Sequence, residues 1–436
     1  KYSKTDSTEE TVKLLIDAGA NINLQEKDGW TALHFASRYS KTTSTEETVK
    51  LLIDAGANIN LQENDGWSAL HMASSNSGTN STVNTVKLLI DAGANINLQE
   101  NGGWSALHYA SRYSGTSSTE NTVKLLIDAG ANVNLQQNEG WSALHIASKY
   151  SKIESTEGTV KLLIDAYANV NLQNNEGWTA LHVASKNSKS YSTEETVKLL
   201  IDAWADVNLQ NNDGFAALHL ASRYSKTTST EGTVKLLIDA GANVNLQDKG
   251  GCSALYFASR NSKSGSTEGT VKLLIEAGAD VNLQDNNGWT ALHMASKNSG
   301  SDSTEGTVKL LLDAGAYVNL QDNYGWTALH IASRVSKTTS TEGTVKILID
   351  YGADVNLQEN DGLTALHLAS DILEISSTEE TLVILVLNGA KIDLKNNENK
   401  TPIDLLPDGF KKIKNMFTMM VEQKKCSKII CRTVYI

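Results

Sequence analysis

The sequence predicts an all-α fold: a solenoid of helix-loop-helix units joined by hairpin-like loops. Three observations predict it: a tetrad that recurs at a constant step, two helical apolar patterns inside each step, and a globular composition with almost no proline. The tetrad is T/S-A-L-H, and the residue before it is Trp30, Trp67, Trp104, Trp141, Trp178, Phe215, Cys252, Trp289, Trp326, Leu363 and, in decayed form, Lys400, always 37 positions apart. A fixed period of this size marks one array whose units cannot bury an apolar face alone. The 40% hydrophobic and 20% charged content is that of a folded chain.

Each element of the unit has its own signal. Thr31, or its serine equivalent, precedes an apolar run and offers a hydroxyl to cap a short first helix over Ala32 to Arg38. Leu33, Phe35 and Ala36 leave little of that helix polar, so it is expected to lie between neighbours. A second start follows at Ser44, with Glu47 three residues on as a capping box, repeated at Ser7/Glu10, Ser192/Glu195 and Ser377/Glu380. Val49, Leu52 and Ile53 then share one helical face, and Gly56 stops the helix by accepting a positive φ. The tract Asn58-Ile-Asn-Leu-Gln and a polar turn ending at Gly66 read as a short hairpin-like excursion before the next cap.

These tracts resemble the ankyrin repeat. Gly29-Trp-Thr-Ala-Leu-His, Val49-Lys-Leu-Leu-Ile and Ala55-Gly-Ala-Asn-Ile-Asn match in order the family's G-x-T-P-L-H, V-x-L-L-L and G-A-D-V-N signatures over almost the whole chain. Two departures stand out. Ala32 and its equivalents replace the family's proline at the first helical position, which only Thr401-Pro402 keeps. The unit also exceeds the family's period of about 33 residues, and the added residues lie in Tyr39 to Thr45, a Ser/Thr-rich link expected to protrude on the edge opposite the hairpins.

The expected organisation is a partial unit over residues 1–30, ten complete units over 31–400, a divergent capping unit over 401–423 and an unassigned basic tail over 424–436. Because residue 1 is not Met and the opening unit lacks its first helix, the chain is expected to be a fragment of a longer reading frame or a processed product. In the capping unit, Pro402 and the run Phe410, Ile413, Met416, Phe417, Met420 and Val421 suggest one more helix pair, with Lys411, Lys412 and Lys414 outward.

Composition narrows the function classes. Lys plus Arg total 38 against 50 Asp plus Glu, a net charge of −12, which opposes binding to nucleic acid or an anionic membrane. The longest apolar run, Leu382 to Leu387, falls far short of the roughly 20 residues that span a bilayer. Three cysteines, Cys252, Cys426 and Cys431, make no disulfide framework, so an intracellular, cytoplasmic setting is expected. Cys426 and Cys431 lack the partners of a zinc site and read as free thiols. The nine histidines occupy one position of the tetrad, from His34 to His367. Stacked helices place equivalents roughly 8–10 Å apart, too far to share a metal whose ligands sit about 2 Å from it. A hydrogen-bonding role is expected, which Tyr256 takes over once. No cofactor, metal or catalytic residue is expected, since residues repeated in ten units make poor single centres.

Two features invite a partner. The last residues of the first helices form a cationic column that includes Arg38, Lys149, Lys186, Arg223, Arg260 and Arg334, beside the Trp30 series with Trp141, Trp178 and Phe215. It reads either as a solvated face neutralised by glutamates such as Glu46 or as a groove for an acidic or extended partner. The near-uniform hairpin positions Gln25, Lys27, Asp28 and Trp30 favour recent duplication over a repetitive partner. The second feature is the replacement of the helix-ending glycine by Tyr167 and Trp204 in consecutive units, as drift or as aromatic anchors of a binding hot spot. The L-x5-D-V-N tracts around Asn208, Asn282 and Asn356 resemble the pattern that asparaginyl hydroxylases accept in ankyrin domains, whereas the sequons at Asn80 and Asn399 carry no expectation.

The favoured function is a non-catalytic scaffold for protein partners, acting as a monomer. The alternative is a regulatory or spacing segment of a larger protein whose N-terminal part carries an enzymatic or membrane domain.

Overall fold

The computed structural model describes residues 9–373, 375–407, 409, 410, 412–417 and 419. The described residues form α-helices, turns and isolated bridges, with no strand. The helices alternate as the tetrad step requires: Ala32–Tyr39, Glu46–Asp54, Ala69–Asn76, Val83–Asp91, and onward to Glu379–Leu387. By contacts the chain divides into two units, one running to Ala217 and adding Thr228–Gly241, the other taking Leu218–Thr227 and running on from Ala242. Within each, like helices of successive repeats pack side by side, and Leu33, Ala36, Val49 and Leu52 with their equivalents are buried.

The first helix begins with a reciprocal cap. Thr31 is extended at φ −101°, and its backbone N–H donates to His34 Nδ1 at 3.1 Å while the His34 N–H points back at the Thr31 hydroxyl. Because Nδ1 accepts, the proton sits on Nε2, which donates to the Trp67 carbonyl of the next repeat at 3.1 Å. One residue thus closes a helix and ties its repeat to the next. The same bond recurs from His71 to Trp104 and from His145 to Trp178, so the expected hydrogen-bonding role of the histidines is met.

The second helix starts differently from the expectation. Its cap is Thr45, not Ser44, with the hydroxyl accepting from the Thr48 N–H at 3.1 Å; Thr193 and Thr378 do the same for Thr196 and Thr381. The expected Ser192/Glu195 and Ser377/Glu380 boxes therefore do not form, the third helical residue being Thr196 or Thr381, and Ser7 lies outside the described residues. In extended backbone, adjacent side chains face opposite ways, so when threonine caps, serine turns to the preceding repeat. Ser81 shows the result: its hydroxyl is buried, donates to the Ser37 carbonyl at 2.7 Å and meets the Ser40 hydroxyl at 3.1 Å. The glutamate that follows looks forward, Glu46 accepting from the Thr82 hydroxyl at 2.5 Å.

The residues added between the helices do not protrude freely. Lys41 N donates to Asn80 O at 3.0 Å and Lys152 N to Tyr191 O at 3.0 Å; in the second unit Lys263 N meets Asp302 O and Lys337 N meets Ser376 O, both at 2.9 Å. Each added loop is hydrogen-bonded to the next, a second seam along the array.

Most repeats have two glycines at positive φ, in different surroundings. Gly130 ends a second helix at φ +90° with open space where a Cβ would stand. Gly140 closes a hairpin turn at φ +82°, where a Cβ would come within 2.6 Å of the Asn175 backbone N. At the C-terminal end the expected helix pair is only half formed. Residues 401–406 make turns, with Thr401 N and its hydroxyl both donating to Asp404 Oδ2, and Pro407 blocks extension into a helix. Ile413 and Phe417 are buried on the helical stretch 412–417, which faces Leu382 and Val383 across a cleft. Lys411, Met420, Val421, Cys426, Cys431 and the whole 424–436 tail lie outside the described residues.

Candidate functional site

The chain's potentially reactive side chains are occupied by its architecture. His108 is buried, with Nδ1 accepting from Ser105 N at 3.1 Å and Nε2 donating to Trp141 O at 3.2 Å. Burial pushes its imidazole down to about 4, as it does for His71 and His145. Among the described residues no group of three or more His, Cys, Asp and Glu is placed to hold a metal ion. Cys252, in a Trp position, is half-buried, and that burial with Asp248 and Asp285 nearby pushes its thiol up to about 12, so it stays protonated. Tyr256 stands in for histidine: it is buried and its hydroxyl reaches Asp285 in the next hairpin.

What faces solvent is the cationic column, and the structure explains how it is held. Each cation lies over the ring of its own repeat: Arg38 Cζ is 5.4 Å from the Trp30 centroid, Lys149 Nζ 4.9 Å from Trp141 and Lys186 Nζ 5.2 Å from Trp178. In the second unit Arg223 lies over Tyr224 and Phe257, and Arg260 is exposed at the last turn of Ala254–Arg260, where Cys252 has replaced the Trp. Phe215 holds the Trp position and accepts His182 Nε2 on its carbonyl at 2.8 Å. Glu46, one of the glutamates considered for neutralising the column, turns its carboxylate to the Thr82 hydroxyl and the Asn84 amide of the next repeat rather than to Arg38. Arg112 instead pairs at 2.9 Å with Glu154, a loop residue present in one repeat only.

Tyr167 and Trp204 end the second helices Glu157–Asp165 and Glu194–Asp202, away from the first helices that carry the column. Their φ values are 63° and 65°, and they are 90% and 88% exposed. The premises of the sequence reading, positive φ and exposed rings, are both met. Asn208, Asn282 and Asn356 each donate through Nδ2 to a glycine carbonyl of the next repeat, at 3.4, 3.3 and 3.1 Å. Asn60 and Asn97 make the same bond, so local geometry does not set the three apart.

One feature escaped the sequence reading. In the second unit a cleft of about 570 Å³ opens between Trp289 and Trp326, lined by Lys297, Arg334, Val335 and Ile372 with Tyr324 at its edge. The signal was present as exceptions to the repeat. Val335 and Ile372 occupy a position that elsewhere holds Tyr or Asn, and Tyr324 one that is mostly Asp or Glu.

No helix among the described residues is long and apolar enough to cross a membrane. No curated protein matches the chain. A family model described as ankyrin repeats in three copies matches residues 3–99, 42–136, 113–193, 188–285 and 262–338, and a single ankyrin repeat matches 324–360. With helix pairs, hairpin turns and interlocked histidines at the same step, the chain belongs to the ankyrin-repeat family.

Proposed function

We propose that this chain is a non-catalytic scaffold that binds protein partners. Ankyrin repeats are generally protein-interaction modules. The observation that carries the reading is the division of labour among its polar groups. Histidine, serine, threonine and glutamate at repeated positions bond to the next or preceding repeat, as His108, Ser81, Thr82 and Glu46 do. Among the groups left to the surface are cations lying on aromatic rings and the bare rings of Tyr167 and Trp204. Stacked Lys and Trp groups offer a partner both charge and flat apolar surface, the residue types that dominate binding hot spots.

Candidate docking residues are Tyr167, Trp204, Trp141, Trp178, Lys149 and Lys186 in the first unit, with Phe215, and Arg223 and Arg260 in the second. Asn208, Asn282 and Asn356 are proposed hydroxylation positions; intact mass of native protein without added oxygen would remove them. The proposed setting is the reducing interior of a cell, in keeping with a half-buried free thiol at Cys252.

Cross-linking mass spectrometry of the chain in native lysate tests the scaffold reading. The expected result is a reproducible partner joined to Lys149 or Lys186 and reduced by Y167G/W204G. Absence of any specific cross-linked protein overturns it.

A further inference from the structure

We propose that the cleft between Trp289 and Trp326 binds a short peptide segment in which an apolar side chain stands beside an acidic one. The proposal rests on the scaffold reading above and adds a place and a partner chemistry to it.

Around Arg112 in the first unit the equivalent space is filled: its guanidinium lies over its own Trp104 and also over Tyr113 and Tyr150. At the cleft, aliphatic Val335 and Ile372 take the position of Tyr113 and Tyr150, and space opens above buried Ile331. The lining is mostly apolar, with Trp289, Trp326, Ile331, Val335 and Ile372 set beside Ser376 and Asp322. A Leu, Ile, Met or Phe side chain suits this lining.

The rim is positive. Lys297 Nζ lies 5.3 Å from the Trp289 centroid and Arg334 Cζ 5.2 Å from that of Trp326, both exposed and held in place by the ring beneath. One acid lines the cleft: Asp322 is buried, and its Oδ1 accepts the Tyr324 and Trp326 N–H groups, both at 2.8 Å, so two exposed cations stand over one fixed carboxylate. Tyr324 removes a negative charge, since Asp65, Glu139, Asp213 and Asp361 hold its position in other repeats. Its ring, 66% exposed, adds flat apolar surface at the entrance. Three departures from the repeat, Val335, Ile372 and Tyr324, therefore coincide at one place, and each makes it more apolar or less negative than most of its equivalents.

A carboxylate between Lys297 and Arg334 satisfies both cations, and the neighbouring apolar side chain fills the cleft. A nucleic-acid strand fits less well. It requires a continued track of cations along its phosphates, and here the column changes sign at the next repeat, where exposed Asp371 follows Arg334.

The test is selection of a displayed random ten-residue peptide library on the full-length chain. Enriched peptides are then measured by fluorescence anisotropy against the parent, K297E/R334E, Y324D and a K161E/K309E control on the second helices; a labelled single-stranded oligonucleotide is a separate probe. The altered residues are exposed, and unchanged thermal melts confirm folded variants. The expected result is enrichment of Asp or Glu within two positions of a large apolar residue, with binding weakened at least tenfold by K297E/R334E, weakened by Y324D and unaltered by K161E/K309E. Enriched peptides without that pairing, equal binding to K297E/R334E, tighter binding of the oligonucleotide, or no enrichment overturns the proposal. Peptides that keep binding K297E/R334E sink the cleft and leave the scaffold reading intact. That reading fails only with its own cross-linking test.

Discussion

His108 Nε2 donates to the Trp141 carbonyl, 33 residues further along, at 3.2 Å. The bond requires an imidazole that is neutral and buried, and both conditions have consequences for stability.

The first is pH dependence. The folded His108, His71, His145 and His330 titrate at about 4 against 6.5 for the free side chain, so the unfolded chain binds more protons between those values. Stability is then fully present above pH 6.5 and falls as the pH drops toward 4. At pH 5 the loss is about 2 kcal/mol for each such histidine. Denaturant melts from pH 7.5 to 4.5 are expected to show a falling midpoint below pH 6.5 and a flat one above; a flat profile to pH 5 would contradict the buried neutral assignment.

The two positive-φ glycines should respond unequally to a methyl group. G130A costs about 1–2 kcal/mol for left-handed backbone alone, because a Cβ there meets nothing. G140A adds a collision with the Asn175 backbone N and is expected to cost at least twice as much. Paired chemical melts decide the point, and equal losses would show that the hairpins yield readily.

The same reasoning applies to Tyr167 and Trp204, which occupy the open glycine position. Y167G and W204G are each expected to stabilise by about 1 kcal/mol by relieving φ values of 63° and 65°. An increase in the melting temperature of each single variant is the readout. If stability instead falls, the rings pack on something and are not simply exposed.

Two buried serines of successive repeats should change stability differently. Ser148 Oγ is buried without a hydrogen-bond partner, so S148A is expected to be neutral or to stabilise by about 1 kcal/mol. Ser192 is equally buried but meets the Ser151 hydroxyl at 3.2 Å, and S192A is expected to cost about 1–3 kcal/mol by leaving that partner less satisfied. Equilibrium unfolding of both variants checks the sign, and a stabilising S192A would refute the seam as a source of stability.

Much of this was legible in the residues. The tetrad, the apolar spacing of Val49 and Leu52 and the stop at Gly56 gave both helices to within a residue. The cap of the second helix was misread because serine and threonine both cap well and stand side by side. Their choice depends on Ser37, which belongs to the preceding repeat. The direct partner of Glu46 was hidden for a similar reason: Glu46 is near Arg38 in sequence, yet its carboxylate is engaged by Thr82 of the next repeat. The cleft needed Val335 and Ile372, one repeat apart, to be recognised as neighbours.

Local chain chemistry was enough to set the period, the helix pair and the turns, since caps, faces and stops depend on residues within about one helical turn of each other. The roles of individual hydroxyls and carboxylates, and the opening at Trp289 and Trp326, came from contacts between repeats. Those contacts join residues 33 to 45 positions apart, as in His108 with Trp141 and Thr159 with Ser114. Repeats of nearly identical sequence acquire different surfaces only where stacking brings their rare differences together.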